Sequence, residues 1–194
     1  MFNDQQTTIN LGPYHLDFYV HLTTTLYQAI NWQITETADG LTATTQTFRC
    51  ASGTADGRGQ LRVRIWHDGN QICWQSQARF FDPADRIKGV KAVLGPVPAQ
   101  RVIAPSGHYA EIGPHQALHY IYPFVASADP SPKAVPLVGI IPMPLVMLTD
   151  AEPERVSCLR ARQLPPRITC FGITAVTGGV LLELFVEELA HCWS

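Results

Sequence analysis

Residues 61–81 read LRVRIWHDGNQICWQSQARFF. Leu61, Val63 and Ile65 alternate with Arg62, Arg64 and Trp66. Past His67 to Asn70, the residues Ile72, Trp74, Ala78 and Phe80 alternate with Gln71, Cys73, Gln75, Gln77 and Arg79. A period of two is the signal of a half-buried strand, so this stretch is a β-hairpin. Asp68-Gly69 suits a two-residue turn, because Gly accepts positive φ without a Cβ clash. A loop of those two residues pairs Ile65 with Ile72 and Val63 with Trp74, placing both apolar sets on one face. A three-residue loop pairs Ile65 with Cys73 and Val63 with Gln75 and puts them on opposite faces, since a one-residue slip reverses every side chain. The pattern therefore predicts two or four residues in the loop, with Arg62, Arg64 and Arg79 on the other face.

Working outward, residues 32–37 and 41–49 are rich in Thr, Ile, Trp and Phe and are separated by Ala38-Asp39-Gly40, a second hairpin signal. Residues 50–59 (CASGTADGRG) form a Gly/Ser/Asp loop, which completes a four-strand antiparallel meander. Helices are expected on either side. Pro13 sits where a first helical turn tolerates it, and Leu16, Tyr19, Val20, Thr23, Leu26, Tyr27 and Ile30 recur at helical spacing over 14–30. The competing reading is a strand through Leu16, Phe18, Val20 and Leu22 with a shorter helix after it; length favours the helix. Asp82-Pro83 reads as an N-cap and first helical residue, with Ile87, Val90, Val93 and Leu94 on one face of a helix ending at Gly95-Pro96.

The second half holds eleven of the fifteen prolines, from Pro105 to Pro166. Short strands are expected over 100–104, 108–112, 156–162 and 167–176, and a helix over 114–122. The apolar stretch 135–147 (VPLVGIIPMPLVM) has three internal prolines, which confine it to an edge or an extended PPII-like path. Residues 180–193 admit strand or buried helix and are read as helix. The expected fold class is α+β: an antiparallel sheet, four meander strands in the first half and more in the second, with helices packed mainly on one face. The chain reads as a single domain, 1–194, with a weak division into 1–100 and 101–194. Leu11-Gly12-Pro13 returns as Ile112-Gly113-Pro114, but so few matches do not establish a duplication.

Composition narrows the function. Hydrophobic residues make up 46% and charged residues only 15% of the 194-residue chain, below the roughly 25% of an average soluble protein. Such a surface points to apolar area covered by a partner, a ligand or a second subunit. A net charge of −2 argues against a dedicated nucleic-acid binder. The five cysteines form no CxxC pair, and MFNDQQTTIN lacks the basic and apolar regions of an export signal, which together predict reduced thiols in a cytoplasmic protein. The most apolar window, 180–190, carries Glu183, Glu187 and Glu188, too short and too charged to span a bilayer.

Three groups of residues could hold something. Tyr19, Tyr27, Trp32, Trp74 and Phe80, with Phe81, could line an apolar cavity between helix and sheet; core packing uses the same residues without a ligand. Arg62, Arg64, Arg79 and Lys88, with Arg86, Lys91 and Trp66, form a basic group able to hold a phosphate or carboxylate through bidentate contacts. No phosphate-binding glycine loop accompanies it, and solvated charge on an outer face is the plainer account. In His108–His119 (HYAEIGPHQALH), a helix starting at Pro114 would stack His115 and His119 on one face, with His108 and Glu111 just before them. Three imidazoles and a carboxylate suit zinc, although the spacing lacks the Glu-beside-His signature of hydrolytic zinc helices. GxSxG, HExxH and a recognisable nucleophilic Cys are absent. The sequence thus points to a non-catalytic binding or assembly protein that meets a protein partner, itself, or a small apolar ligand. The alternative is a metal-dependent enzyme or metal-binding protein centred on the His/Glu cluster.

Overall fold

The fold is described from a computed structural model, for residues 6–23, 25–50, 53, 56–81, 86–105, 109–114, 116–122, 137–140, 143–150, 156–161 and 168–187, with only the backbone for 137–140. Strand accounts for 77% of the described residues and helix for none. In chain order the strands are β1 (Ile9–Leu11), β2 (Tyr14–Leu22), β3 (Leu26–Ile30), β4 (Gln33–Thr37), β5 (Gly40–Cys50), β6 (Asp56–Asp68), β7 (Gln71–Phe80) and β8 (Ile87–Val97), then β9 (Arg101–Ile103), β10 (Tyr109–Glu111), β11 (Ala117–Tyr122), β12 (Leu137–Ile140), β13 (Leu145–Thr149), β14 (Val156–Arg160), β15 (Thr169–Val176) and β16 (Gly179–Glu187). The chain divides into two compact units, Met1–Lys91 and Ala92–Ser194, with the boundary inside β8.

In the first unit the strands lie in the order β8-β2-β3-β5-β6-β7, with β1 on β2 and β4 on β5. The β6–β7 hairpin turns through Gly69-Asn70, with Asp68 opposite Gln71, so Ile65 faces Trp74, Val63 faces Ser76 and Leu61 faces Ala78. The loop has two residues and the apolar sets share a face. The pairs themselves lie one step along the ladder from those expected of an Asp68-Gly69 loop. Gly69, at φ +58, holds the first central position, where a type II′ turn requires Gly. Leu61, Val63 and Ile65 are buried beside Ala43 and Phe48 of β5, while Arg58, Arg62 and Arg64 alternate with them toward solvent.

One cluster closes this core. Tyr27 and Phe48 both pack on Phe80, with ring centroids 5.5 and 5.0 Å away. They lie over Gly57 and Gly59 of β6: a Cβ on Gly57 would come within 3.0 Å of the Tyr27 and Phe80 rings, and one on Gly59 within 2.7 Å of the Arg79 carbonyl oxygen. The glycines of the expected loop thus begin a strand, because only a bare backbone leaves room for the three rings.

The second unit has two sheets. One has the order β12-β11-β15-β16-β8, antiparallel except for the β11–β12 pair, and the other the order β10-β9-β13-β14. The first buries Leu118, Tyr120, Phe171, Ile173, Leu182 and Leu184 on one face, in cross-strand rows such as Tyr120–Phe171–Leu184. Burial pushes the Tyr120 hydroxyl up to about 12. The four-stranded sheet buries Val102, Val146, Leu148 and Leu159.

The α+β expectation is wrong: among the described residues the fold is all-β. The predicted helix over 14–30 is the β2–β3 hairpin, turned at 23–25, where the Leu22 N–H donates to the Thr25 carbonyl at 2.8 Å. Leu16, Phe18, Val20 and Leu22 are all buried, and their period of two overrides the looser helical match. The predicted helix after Asp82 is β8, which runs through Gly95-Pro96. Its buried positions include Gly89, Ala92 and Gly95, so hydrophobicity does not mark its inner face. A Cβ on Gly95 would lie within 2.9 Å of the Val180 carbonyl, a close approach that explains the small residue. The predicted helices over 114–122 and 180–193 are β11 and β16 as far as they are described. In β16, Val180, Leu182 and Leu184 are buried and Leu181, Glu183 and Phe185 half-buried, a strand alternation hidden because both sets are largely apolar. Within 135–147, β12 is an edge strand as the prolines require. The part after Pro144 becomes β13, an inner strand with neighbours on both sides.

Candidate functional site

The aromatic residues do not gather around one space. Tyr27 and Phe80 meet in the core cluster with Phe48. Trp32 is buried elsewhere, edge-on to Phe18 with centroids 5.9 Å apart, and its indole N–H donates to the Thr7 carbonyl at 3.2 Å. Trp74 is half-buried on β7 opposite Ile65. Tyr19 lies on the other face of the sheet from Tyr27: Tyr19 pairs with Gln28, Val20 with Tyr27, and the Lys91 ammonium sits 4.9 Å from the Tyr19 ring centroid. Phe81 is exposed.

The basic group is placed more coherently. Arg58, Arg62, Arg64 and Arg79 all project from the outer face of the β6–β7 hairpin, opposite Thr or Gln residues such as Thr44 and Gln77 across from Arg62. Arg64 donates to Asp39 at 2.6 Å and stacks 5.5 Å from the Trp66 ring centroid. That guanidinium, followed by the Thr37 hydroxyl, holds the Asp39 carboxyl below its ordinary value. Lys88 is exposed on β8, away from this hairpin in the strand order.

Of the His/Glu cluster, His108 and His115 lie outside the described residues. Glu111 and His119 stand on different sheets: Glu111 is exposed on β10 with the Arg101 guanidinium 3.8 Å away, and His119 lies half-buried on β11 in a row with Gly172 and Glu183. The helix that would have stacked His115 on His119 is not formed, since β11 is extended. Among the described residues no three His, Cys, Asp or Glu side chains come together as a metal site.

Sequence reading missed two features of the second unit. The first is the outer face of the four-stranded sheet. Tyr109 pairs with Ile103, Ile103 with Met147 and Met147 with Cys158, so one row crosses every strand. None of the four is buried, and Tyr109 is 54% exposed. Leu145 is half-buried on the same face, and Val156, at its far corner, is 58% exposed. Arg101 and Glu111 pair at one end and Arg160 stands at the other. Partial burial raises the Cys158 thiol and Arg160 pulls it back. Each strand here is three to five residues long, so alternation is too brief to show which apolar residues face outward.

The second feature is a cleft of about 540 Å³, open to solvent, walled by Pro98, Ile112, Pro114, Val176 and Val180 with Asp150 as its carboxylate. It is assembled from loops after β8 and β10 and from the β15–β16 turn, segments far apart in sequence. Compared with protein-family models, curated proteins and solved structures, the chain matches none. Among the described residues no helix is long and apolar enough to cross a membrane.

Proposed function

We propose that this chain is a non-catalytic binding protein whose contact surface is the outer face of the four-stranded sheet and whose partner is another protein. The observation that carries this reading is the row Tyr109–Ile103–Met147–Cys158, apolar across all four strands, with Tyr109 and Cys158 exposed and Ile103 and Met147 half-buried. Contiguous exposed apolar area, rimmed by charge, is what a docking surface looks like before its partner arrives. Tyr109 and Met147 have the character of contact residues: the ring offers large area at low entropy cost, and the thioether adapts its shape. The Arg101–Glu111 pair and Arg160 supply a polar rim that would set orientation. A cytoplasmic location goes with this reading, because Cys73, Cys158 and Cys170 are free thiols.

The test is a photo-reactive benzophenone amino acid in place of Tyr109, irradiated in the producing cells. The expected result is a covalent adduct of discrete mass to another protein, lost when Met147→Lys is added. Adducts that persist with Met147→Lys, or irradiation without any interchain product, would sink the reading.

A further inference from the structure

A different surface, independent of that sheet face, points to a second copy of this chain. β7 is the last strand of its sheet and has β6 as its sole neighbour among the described residues. Ten residues long, it keeps one register with β6 from Gly59↔Phe80 to Asp68↔Gln71 with no bulge. Natural sheets block such edges with proline, lysine, bulges or a covering segment. Over 71–80 there is no proline and no lysine, and Arg79 is the sole charge.

The direction of the free backbone groups follows from the ladder. The His67 N–H donates to the Asp39 carbonyl and the Phe81 N–H to the Arg58 carbonyl. The backbone groups of Gln71, Cys73, Gln75, Gln77 and Arg79 therefore face β6, and those of Ile72, Trp74, Ser76, Ala78 and Phe80 point outward from the sheet edge. A second β7 laid antiparallel against this edge satisfies all of these only if Ile72 lies opposite Phe80, Trp74 opposite Ala78 and Ser76 opposite Ser76. That register is symmetric about Ser76, so an identical strand related by a two-fold axis fits it, with about ten hydrogen bonds formed. A shift by two residues leaves outward groups unpaired at the ends.

Side chains agree with the same register. On the apolar face it sets Trp74 against Ala78 and Ile72 against Phe80, apolar against apolar throughout, and adds cover to the half-buried Ile72 and Trp74. On the polar face Gln75 meets Gln77 and Arg79 meets Cys73, so the two copies of Arg79 stay roughly 20 Å apart, six residues at about 3.4 Å each. We infer that β7 pairs antiparallel with β7 of a second copy across a two-fold axis at Ser76, joining two hairpins into one sheet.

Sedimentation of the full chain over a range of concentrations tests this. The expected species has twice the 21.4 kDa chain mass at high concentration. Gln75→Glu with Gln77→Glu sets like charges opposite each other across the two-fold axis, while within the chain each glutamate faces Arg64 or Arg62 of β6, and should weaken the dimer by about tenfold or more. Gln75→Lys with Gln77→Glu makes those pairs opposite in charge and should restore it. Ser76→Pro, which removes an outward N–H on the axis, should abolish it. A chain that stays monomeric at every concentration, or a dimer indifferent to the two glutamates, overturns the proposal. Equal weakening by the Lys/Glu variant overturns the register. Substitution of Met147 should leave this dimer unchanged, which separates it from the docking face of the second unit.

Discussion

At Gly59 the whole local core depends on one missing methyl group. A Cβ there would press on the Arg79 carbonyl at 2.7 Å and on the Phe80 and Phe48 rings at 3.1 and 3.3 Å. The carbonyl belongs to the paired strand and cannot swing aside. Gly59→Ala should therefore destabilise the chain by about 1–3 kcal/mol in urea denaturation, an overpacking cost in spite of the entropy gained from Ala. Asp39 tests the outer face. Arg64 is the main cause of its lowered carboxyl value, so Arg64→Gln should move the Asp39 titration, followed by NMR, back toward 3.8. Because the folded value is the depressed one, whatever stability the pair adds is present above the ordinary carboxylate range and is lost as pH falls through the lowered value. Both side chains are more than half exposed, so that contribution is small and shrinks with salt.

Among the elements, the β6–β7 hairpin is the most sharply specified, and its turn shows where. Gly69 at φ +58 has open space where a Cβ would go, so Gly69→Ala costs backbone strain alone, about 1 kcal/mol by thermal or urea unfolding. A loss of several kcal/mol would mean that the turn does more than close the hairpin. The strands β6 and β7 were legible because one side of each alternation is polar and the other apolar, and β4 and β5 because Thr-rich, β-favouring runs flank the Asp39-Gly40 turn. The strands β2, β8, β11 and β16 were not. In β2 the outward set is His15, Asp17, Tyr19 and His21, a clean alternation that length alone outweighed; in β8 the inward set includes Gly89 and Gly95, and in β16 Leu181 and Phe185 face away from the buried Leu182 and Leu184. Where apolar residues occupy both faces, a period of two and a period near 3.6 fit equally well, and length then misleads toward helix. The helix expected over 114–122 is β11 from Ala117 onward, so the helical face meant to carry His115 and His119 is not formed, and His115 itself lies outside the described residues.

For the molecule as a whole, every regular contact among the described residues is a strand pairing, and several join distant segments. β16 lies beside β8, for example, and β13 beside β9. Loop closure must precede such pairings, so refolding from urea should take milliseconds to seconds by stopped-flow fluorescence of the tryptophans; a microsecond phase carrying the full amplitude would contradict this topology. The low charged content and the apolar, proline-rich second half point to covered surface, and the row on the four-stranded sheet is where the proposed binding reading puts it. By itself the sequence determined what local pattern can determine: the hairpin, the parity of its register and the exposure of its arginines. Side-chain alternation and turn chemistry act within a few residues, so neighbours along the chain suffice to read them. Only the tertiary structure decided that the runs read as helices, now β2, β3, β8, β11 and β16, are strands, that Tyr109, Ile103, Met147 and Cys158 align, and that β7 ends a sheet. Each of these depends on which distant strand lies alongside, and backbone hydrogen bonds between strands carry no side-chain signature that names the partner.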